Sequence, residues 1–268
     1  MTRTRFPGMV LTNFARGQRG PKFMSLWGKI AGGAAEALAG GPLGALVSAF
    51  VGQAADRPVR NHSQADERVP RAKQGAFLIG IIALSAKMAK ADGVVTADEV
   101  AAFRDIIKVP AGELKHVAFV FDQARKSVSG FESYAKQLAR LFKDSPRVLE
   151  DLLDGLFHIA RADGLMHENE MIYLEEVARI FGFSEAEFAP IKARHSFQPE
   201  ATPYLVLGVK PESSDEEIKA AYRRLVRENH PDAMMSRGVP EEFIHLANDK
   251  LAAINIAYET IEKARGLA

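Results

Sequence analysis

The sequence predicts an all-α protein, a helical bundle followed by a C-terminal helical hairpin. Residues 74–196 form a long helical stretch with about seven helices and no convincing strand. Pro110 and Pro146 stand where the first turn of a helix accepts proline, and Ser145 is placed to cap the second of these helices. A second, compact helical unit is predicted over residues 203–268.

Composition excludes several classes of site. The chain is 47% hydrophobic and 26% charged, which is typical of a globular protein. Its net charge of +1 creates no overall field for nucleic acid, and no such partner is expected. With no cysteine, the chain forms no disulfide, thiolate zinc site or cysteine nucleophile. Because GxxxxGK[ST] and GxSxG motifs are also absent, we expect neither an enzyme nor a cofactor.

Three segments are predicted to precede the bundle. Residues 1–23 carry basic residues and no acidic residue, and we interpret them as a disordered tail or upstream extension. Residues 24–56 are apolar and rich in glycine and alanine, and Met24 is a second candidate for the start of translation. Residues 57–73 are polar and punctuated by proline, as is typical of a linker.

The apolar stretch within the second segment, residues 26–55, allows two interpretations. It is long enough for a membrane span, which needs about 20 apolar residues, although Glu36 and Pro42 interrupt it. An interfacial Trp27 before it and arginines after it fit a tether whose following residues stay in the cytoplasm. The alternative is a helical hairpin that lies on a membrane or on protein.

An internal repeat allows the hypothesis of a metal site. The stretch "MAKADGVVTADEV" (88–100) is echoed by "IARADGLMHENEM" (159–171), each with an Asp-Gly and a glutamate seven places after the aspartate. The glycines suit helix ends in the left-handed conformation. An EF-hand is rejected, because the front positions of both loops lack oxygen ligands. Either the loops are purely structural, or they pool four carboxylates around one cation: Asp92, Glu99, Asp163 and Glu170.

This paired pattern resembles the TerB-like domain family over roughly residues 77–191. The resemblance implies an all-helical bundle.

The second helical unit carries an amphipathic helix that ends in "HPD". Ser214 and Glu217 predict a capping box at its start. The helix has an apolar stripe (Ile218, Ala221, Tyr222 and Leu225) and, on another face, a basic stripe (Lys219, Arg223 and Arg227, with Arg224 beside them). Pro231 cannot continue the helix, so His230, Pro231 and Asp232 are predicted to lie on a turn. A further helix restarts near Pro240, with Phe243, Leu246, Ala247, Leu251, Ile254, Tyr258 and Ile261 facing inward.

The triplet is better explained as part of a protein-binding surface than as a catalytic or metal-binding site. Side chains on either side of a proline diverge, no serine nucleophile is placed for them, and one histidine with one aspartate falls short of a metal ligand set. A capping turn beside a merely solvated charged face is the alternative. The basic stripe that leads into the turn favours a surface that another protein binds.

Residues 203–268 resemble a J-domain, with "YLVLGV", "EIKAAYRRL", "HPD" and "INIAYETI" in the order and spacing of that family. The resemblance implies a co-chaperone that docks on a DnaK-type chaperone, of the seventy-kilodalton heat-shock family, and stimulates its ATP hydrolysis. It also implies that Asp232 meets an arginine of the partner, that His230 and Pro231 shape the turn, and that the basic stripe faces an acidic patch.

The whole order of segments resembles the DjlA group of bacterial membrane-anchored J-proteins. The stretch "AMMSRGVPEEF" after the triplet is predicted to be a long loop, which fits that group better than the short basic loop of general J-proteins. This implies a place on the cytoplasmic side of the inner membrane, with residues 26–55 as tether and the bundle giving targeting or regulation. No zinc-binding cysteine module or Gly/Phe-rich region is present, and no motif specifies the client protein. The alternative function is a cation- or stress-responsive binding module whose J-domain is secondary.

Overall fold

The computed structural model describes residues 40–54, 65–91, 114–127, 129–161, 164, 166–195 and 202–266, and every regular element in these ranges is a helix. The predicted all-α fold is therefore confirmed. The predicted tail, Met24 and the first part of the apolar segment lie outside the described residues.

The described helices fall into two groups along the chain. The bundle contains α1 (Gly41–Ala54), α2 (Ala65–Ala91), α3 (Leu114–Lys126), α4 (Phe131–Leu141), α5 (Pro146–Ala160), α6 (Glu168–Phe181) and α7 (Glu185–Arg194). The second unit contains α8 (Thr202–Leu207), α9 (Asp215–Glu228), α10 (Pro231–Ser236), a 3-10 turn (Glu241–Phe243) and α11 (Ile244–Arg265).

Helix α2 is the central helix of the bundle. Its residues 75–89 are all buried, and it packs against α3, α4 and α5. The Tyr173 hydroxyl of α6 donates a 2.8 Å hydrogen bond to the carbonyl of Leu84. Within the described residues, Ala72–Ala89 of α2 is the one stretch long and apolar enough to cross a bilayer, but 83% of it is buried inside the protein. Its apolar surface is therefore already used by the bundle core.

Two local predictions need correction. The stretch predicted as a linker, residues 57–73, is helical from Ala65 onward. Once part of a helix has formed, each further residue adds little free-energy cost. The second half of α2 is buried in the bundle, so the helix extends back to Ala65 despite the backbone hydrogen bond that is lost at Pro70. Pro146 occupies the start of α5 as predicted, and Ser145 is the residue before it, but the Ser145 side chain forms no capping hydrogen bond.

The second half of the predicted tether segment packs on the bundle. Leu43, Leu46 and Val47 of α1 are buried in the same core as α2. The Gln137 side chain of α4 accepts a hydrogen bond from the Leu43 N–H (3.1 Å) and donates one to the carbonyl of Gly40 (2.9 Å). For residues 41–54, the interpretation as a helix lying on protein is therefore the correct one.

The second unit shares its core with the bundle. The rings of Phe77 in α2 and Phe243 meet edge to face, with centroids 5.0 Å apart. Leu246 and Ala247 of α11 also belong to the bundle core, whereas the hairpin has a smaller core of its own that includes Ile218 and Ile254. The prediction that one apolar stripe of α11 faces the hairpin along its whole length is wrong for the first turns of the helix. These turns are buried against the bundle, and the remainder of α11 packs against α8 and α9.

Replacing Phe243 with alanine tests this shared core. Removing a fully buried phenylalanine costs about 3–5 kcal/mol, so Phe243→Ala should lower the free energy of unfolding of the full chain by that amount in a denaturant titration. The control is Ile256→Ala on α11, where the Ile256 side chain is 65% exposed and its truncation should cost under about 0.5 kcal/mol. Equal effects of the two variants would contradict the shared core.

Candidate partner-binding site

The His230-Pro231-Asp232 triplet begins a helix. His230 is the N-cap of α10, in an extended conformation that suits the residue before a proline, and Pro231 occupies the first turn. The His230 Nδ1 accepts a 3.3 Å hydrogen bond from the Asp232 backbone N–H, which places the proton of the neutral ring on Nε2. The predicted turn is therefore confirmed at His230 only, and the stretch after it is helical to Ser236 rather than a long loop.

Both polar side chains of the triplet face solvent. The His230 side chain is 56% exposed and that of Asp232 is 81% exposed. Their closest atoms, Nδ1 and Oδ2, are 3.6 Å apart, which is too far for a hydrogen bond. Pro231 between them is half-buried. The triplet therefore presents an imidazole and a carboxylate that another molecule can contact.

The basic stripe lies on the exposed face of α9. The capping box forms as predicted, with Ser214 and Glu217 exchanging side-chain to backbone hydrogen bonds of 2.8 and 3.2 Å. Ile218, Ala221 and Leu225 are buried. Four basic side chains are exposed and form no salt bridge with another described residue: Lys219, Arg223, Arg224 and Arg227. Residues four apart share a helix face, so Lys219, Arg223 and Arg227 form a row that runs toward the triplet.

Two buried side chains that sequence reasoning missed fix the end of α9. Asn229, which is 1% exposed, donates a 2.8 Å hydrogen bond from Nδ2 to the carbonyl of Leu225. Arg237 donates from Nη1 to the carbonyl of Glu228 at 2.6 Å. An asparagine after a helix is a known C-terminal signal and could have been found. Nothing local in the sequence distinguishes Arg237.

Beneath the triplet, a buried ionic cluster joins α5 to the second unit. Its carboxylates all come from α5, and its cations come from α7, from the residue after α10 and from α11: Glu150, Asp151, Asp154, Arg194, Arg237 and Lys250. The Lys250 Nζ lies 2.7 Å from Asp154, 3.0 Å from Glu150 and 3.4 Å from Asp151. The Arg237 Nη2 lies 2.7 Å from Asp151. Three buried carboxylates thus face three cations, while Arg147 at the edge lies 2.7 Å from Glu150 and the His195 ring lies 2.8 Å from Asp154.

The pKa directions reflect this balance. Burial favours protonation of Glu150, but Lys250 and Arg194 outweigh burial and lower its pKa to about 2. The pKa of Asp154 is also held well below its ordinary value, since Arg194 and Lys250 overcome the effect of burial. Burial has the larger effect on Asp151 and raises its pKa, against the opposing charges of Lys250 and Arg237.

The proposed pooled metal site receives no support from the part of the chain that is described. Glu170 caps the start of α6, where its Oε2 accepts a 3.0 Å hydrogen bond from the His167 N–H. Asp92, Glu99 and Asp163 lie outside the described residues. Among those that are described, no group of three or more histidine or acidic side chains is arranged to hold a metal. Gly164 has the predicted left-handed conformation, with φ of 83°.

Comparison with protein families finds three matches in order along the chain. The "Co-chaperone DjlA transmembrane domain" matches residues 24–74, "Tellurite resistance protein TerB" matches residues 78–193, and the DnaJ domain matches residues 202–265.

Relatives resemble the chain over most of its length. The Co-chaperone protein DjlA of Legionella pneumophila is 27% identical, over 90% of this chain and 96% of the relative. The Co-chaperone protein DjlA of Photobacterium profundum is 28% identical over 90% and 99%, and that of Coxiella burnetii is 26% identical over 91% and 100%. No solved structure matches the chain significantly.

Proposed function

Because this chain is a DjlA-like J-domain protein, we propose that it acts as a co-chaperone that recruits a DnaK-type chaperone and stimulates its ATP hydrolysis. The observation that carries the proposal is the exposure of the triplet, with Asp232 81% exposed in the first turn of α10, just beyond the helix α9 whose outer face is basic. It fits a regulator of another protein's ATPase rather than an enzyme.

Each part of the surface has a role in this proposal. Asp232 pairs with an arginine of the chaperone, while His230 and Pro231 set the shape of the turn. The basic stripe of α9 faces an acidic patch on the chaperone. Complementary charges of this kind control orientation and association rate more than affinity. The bundle packs against the other side of the J-domain and leaves the stripe accessible, which suits a role in targeting a client protein.

The membrane tether is proposed to lie before Gly40. The family match to a transmembrane domain supports membrane tethering through residues 24–74, but α1 within that range packs on the bundle. The residues from Met24 to Gly40 then contact the bilayer, and the basic residues that follow α1 favour the cytoplasmic side of the inner membrane. This arrangement puts the J-domain beside a cytoplasmic chaperone.

The triplet is tested by replacing His230 with glutamine. Since His230 is exposed, His230→Gln should leave the fold intact and reduce stimulation of the DnaK-type ATPase to background in a steady-state assay. His158→Gln, at a half-buried histidine of the bundle, is the control and should stimulate normally. Normal stimulation by folded His230→Gln protein would refute the co-chaperone proposal.

The basic stripe is tested by its effect on association. The double variant Arg223→Ala/Arg227→Ala should slow association with the chaperone by about tenfold at low ionic strength, as measured by stopped-flow mixing. The wild-type rate should also fall as salt rises, because screening acts over about 8 Å at physiological ionic strength. Lys136→Ala/Arg140→Ala removes the same charge from exposed positions on α4 and should have little effect. A salt-independent wild-type rate would mean that the stripe is only a solvated face.

The tether is tested by two truncations. Alkaline carbonate should leave the full chain in membranes, and chains that begin at Gly40 or at Asp56 should both be soluble. The shorter chain should lose at least about 3 kcal/mol of stability, because Leu43, Leu46 and Val47 no longer cover the core. A chain from Gly40 that stays in the membrane, or a full chain that is soluble before extraction, would contradict this placement.

A further inference from the structure

One residue links the buried ionic cluster to the exposed triplet. Arg237 binds Asp151 of the bundle through two hydrogen bonds, Nε to Oδ2 at 2.8 Å and Nη2 to Oδ1 at 3.0 Å. Its third nitrogen, Nη1, donates to the carbonyl of Glu228 at 2.6 Å. The Arg237 side chain is 16% exposed and that of Asp151 is 1% exposed. The same guanidinium therefore contacts both the bundle and the end of α9.

The carbonyl that Arg237 binds lies at the end of α9. The last four carbonyls of a helix have no partner within it, so a side chain that binds one of them fixes how the chain leaves the helix. Glu228 precedes the triplet by two residues. Arg237 is also the residue that ends α10, where its backbone N–H bonds to the carbonyl of Ala233. It thus holds the segments on both sides of the triplet.

The backbone that carries Arg237 is held against the bundle as well. The next residue, Gly238, has φ of 104°, and a Cβ placed on it would lie 3.1 Å from the Cβ of Lys73 in α2. This conformation and close approach favour glycine. Val239 follows and is completely buried in the bundle core. The contacts of Gly238 and Val239 with the bundle therefore fix the main chain from which the Arg237 guanidinium extends.

We propose that Arg237 is a positioning residue through which Asp151 of the bundle sets the geometry of the His230-Pro231-Asp232 turn. The inference rests on the proposed co-chaperone function and adds that the bundle controls the triggering of ATP hydrolysis by the J-domain. Association with the chaperone is separate, because the exposed basic stripe, which controls the association rate, is not among the described contacts of Arg237.

Arg237→Lys separates these two effects. A lysine keeps the charge, but its single nitrogen cannot chelate Asp151 and bind the Glu228 carbonyl in the same geometry. Asp151 retains Lys250 at 3.4 Å, which preserves a partner for the buried carboxylate. Titrating the full chain, in detergent, against a DnaK-type chaperone should show maximal ATPase stimulation about tenfold lower, the factor for one lost charge-assisted hydrogen bond. The half-maximal concentration should change by less than about twofold.

The matched control is Arg147→Gln. Arg147 also bridges the bundle to the end of α9, but through the Glu228 side chain at 2.7 Å, and it leaves the carbonyl bond of Arg237 in place. This variant should stimulate like the wild type. Asp151→Asn should reproduce the loss seen with Arg237→Lys, and the double variant should lose little more, because both changes break the same link.

Hydrogen exchange supplies a readout that does not need the chaperone. Amides of residues 232–234 should exchange faster in Arg237→Lys than in wild type or Arg147→Gln. Wild-type stimulation and exchange in folded Arg237→Lys protein would overturn the inference. So would an unchanged maximal stimulation with a half-maximal concentration that rises in proportion to the unfolded fraction, since this indicates a purely structural role. If the wild type fails to stimulate while exchange still differs, the co-chaperone function fails and the link from Asp151 to the turn stands.

Discussion

The arrangement of this protein depends on the buried ionic cluster between α5 and the J-domain. Moving charges out of water is costly, and the cost is offset only where each charge meets opposite charges at close range. Glu150 and Asp154 pair with Arg194 of the bundle, but among the described residues Asp151 finds such partners only in Arg237 and Lys250 of the J-domain. Removing one partner of such a buried pair typically costs about 3–5 kcal/mol, because the remaining charge is left uncompensated. The cluster therefore selects one relative placement of the bundle and the J-domain.

Apolar packing and the functional surface follow from that placement. In that placement Phe243 lies against Phe77, and the start of α11 covers the bundle core. Helix α9 then has its apolar side inward and its basic side in solvent, with His230 and Asp232 exposed at its end. The proposed chaperone would then bind a J-domain that is packed against the bundle and lies close to the membrane indicated by the transmembrane-domain match.

Sequence reasoning succeeded where local rules decide the structure. The Ser214–Glu217 capping box, the buried face of α9 and the break at Pro231 each depend on residues a few positions apart. Sequence reasoning failed where the structure depends on contacts between residues that are far apart in the chain. Asp151 and Arg237 are 86 positions apart, and no spacing pattern marks them as partners. Phe243 looked like a hairpin residue because an apolar stripe does not reveal which neighbour it faces. For α1 the sequence left a membrane segment and a helix lying on protein both open, because bilayers and protein cores favour the same apolar side chains.

A distance measurement between the two units tests the central claim most directly. The chain has no native cysteine, so spin labels can be attached at Ser133→Cys on α4 and Ala252→Cys on α11, both exposed positions. Pulsed electron paramagnetic resonance on the full chain in bilayers would then report the distribution of distances between them. A rigid unit held by the ionic cluster predicts a single narrow distribution. A broad distribution, as from two domains on a flexible connection, would contradict the account.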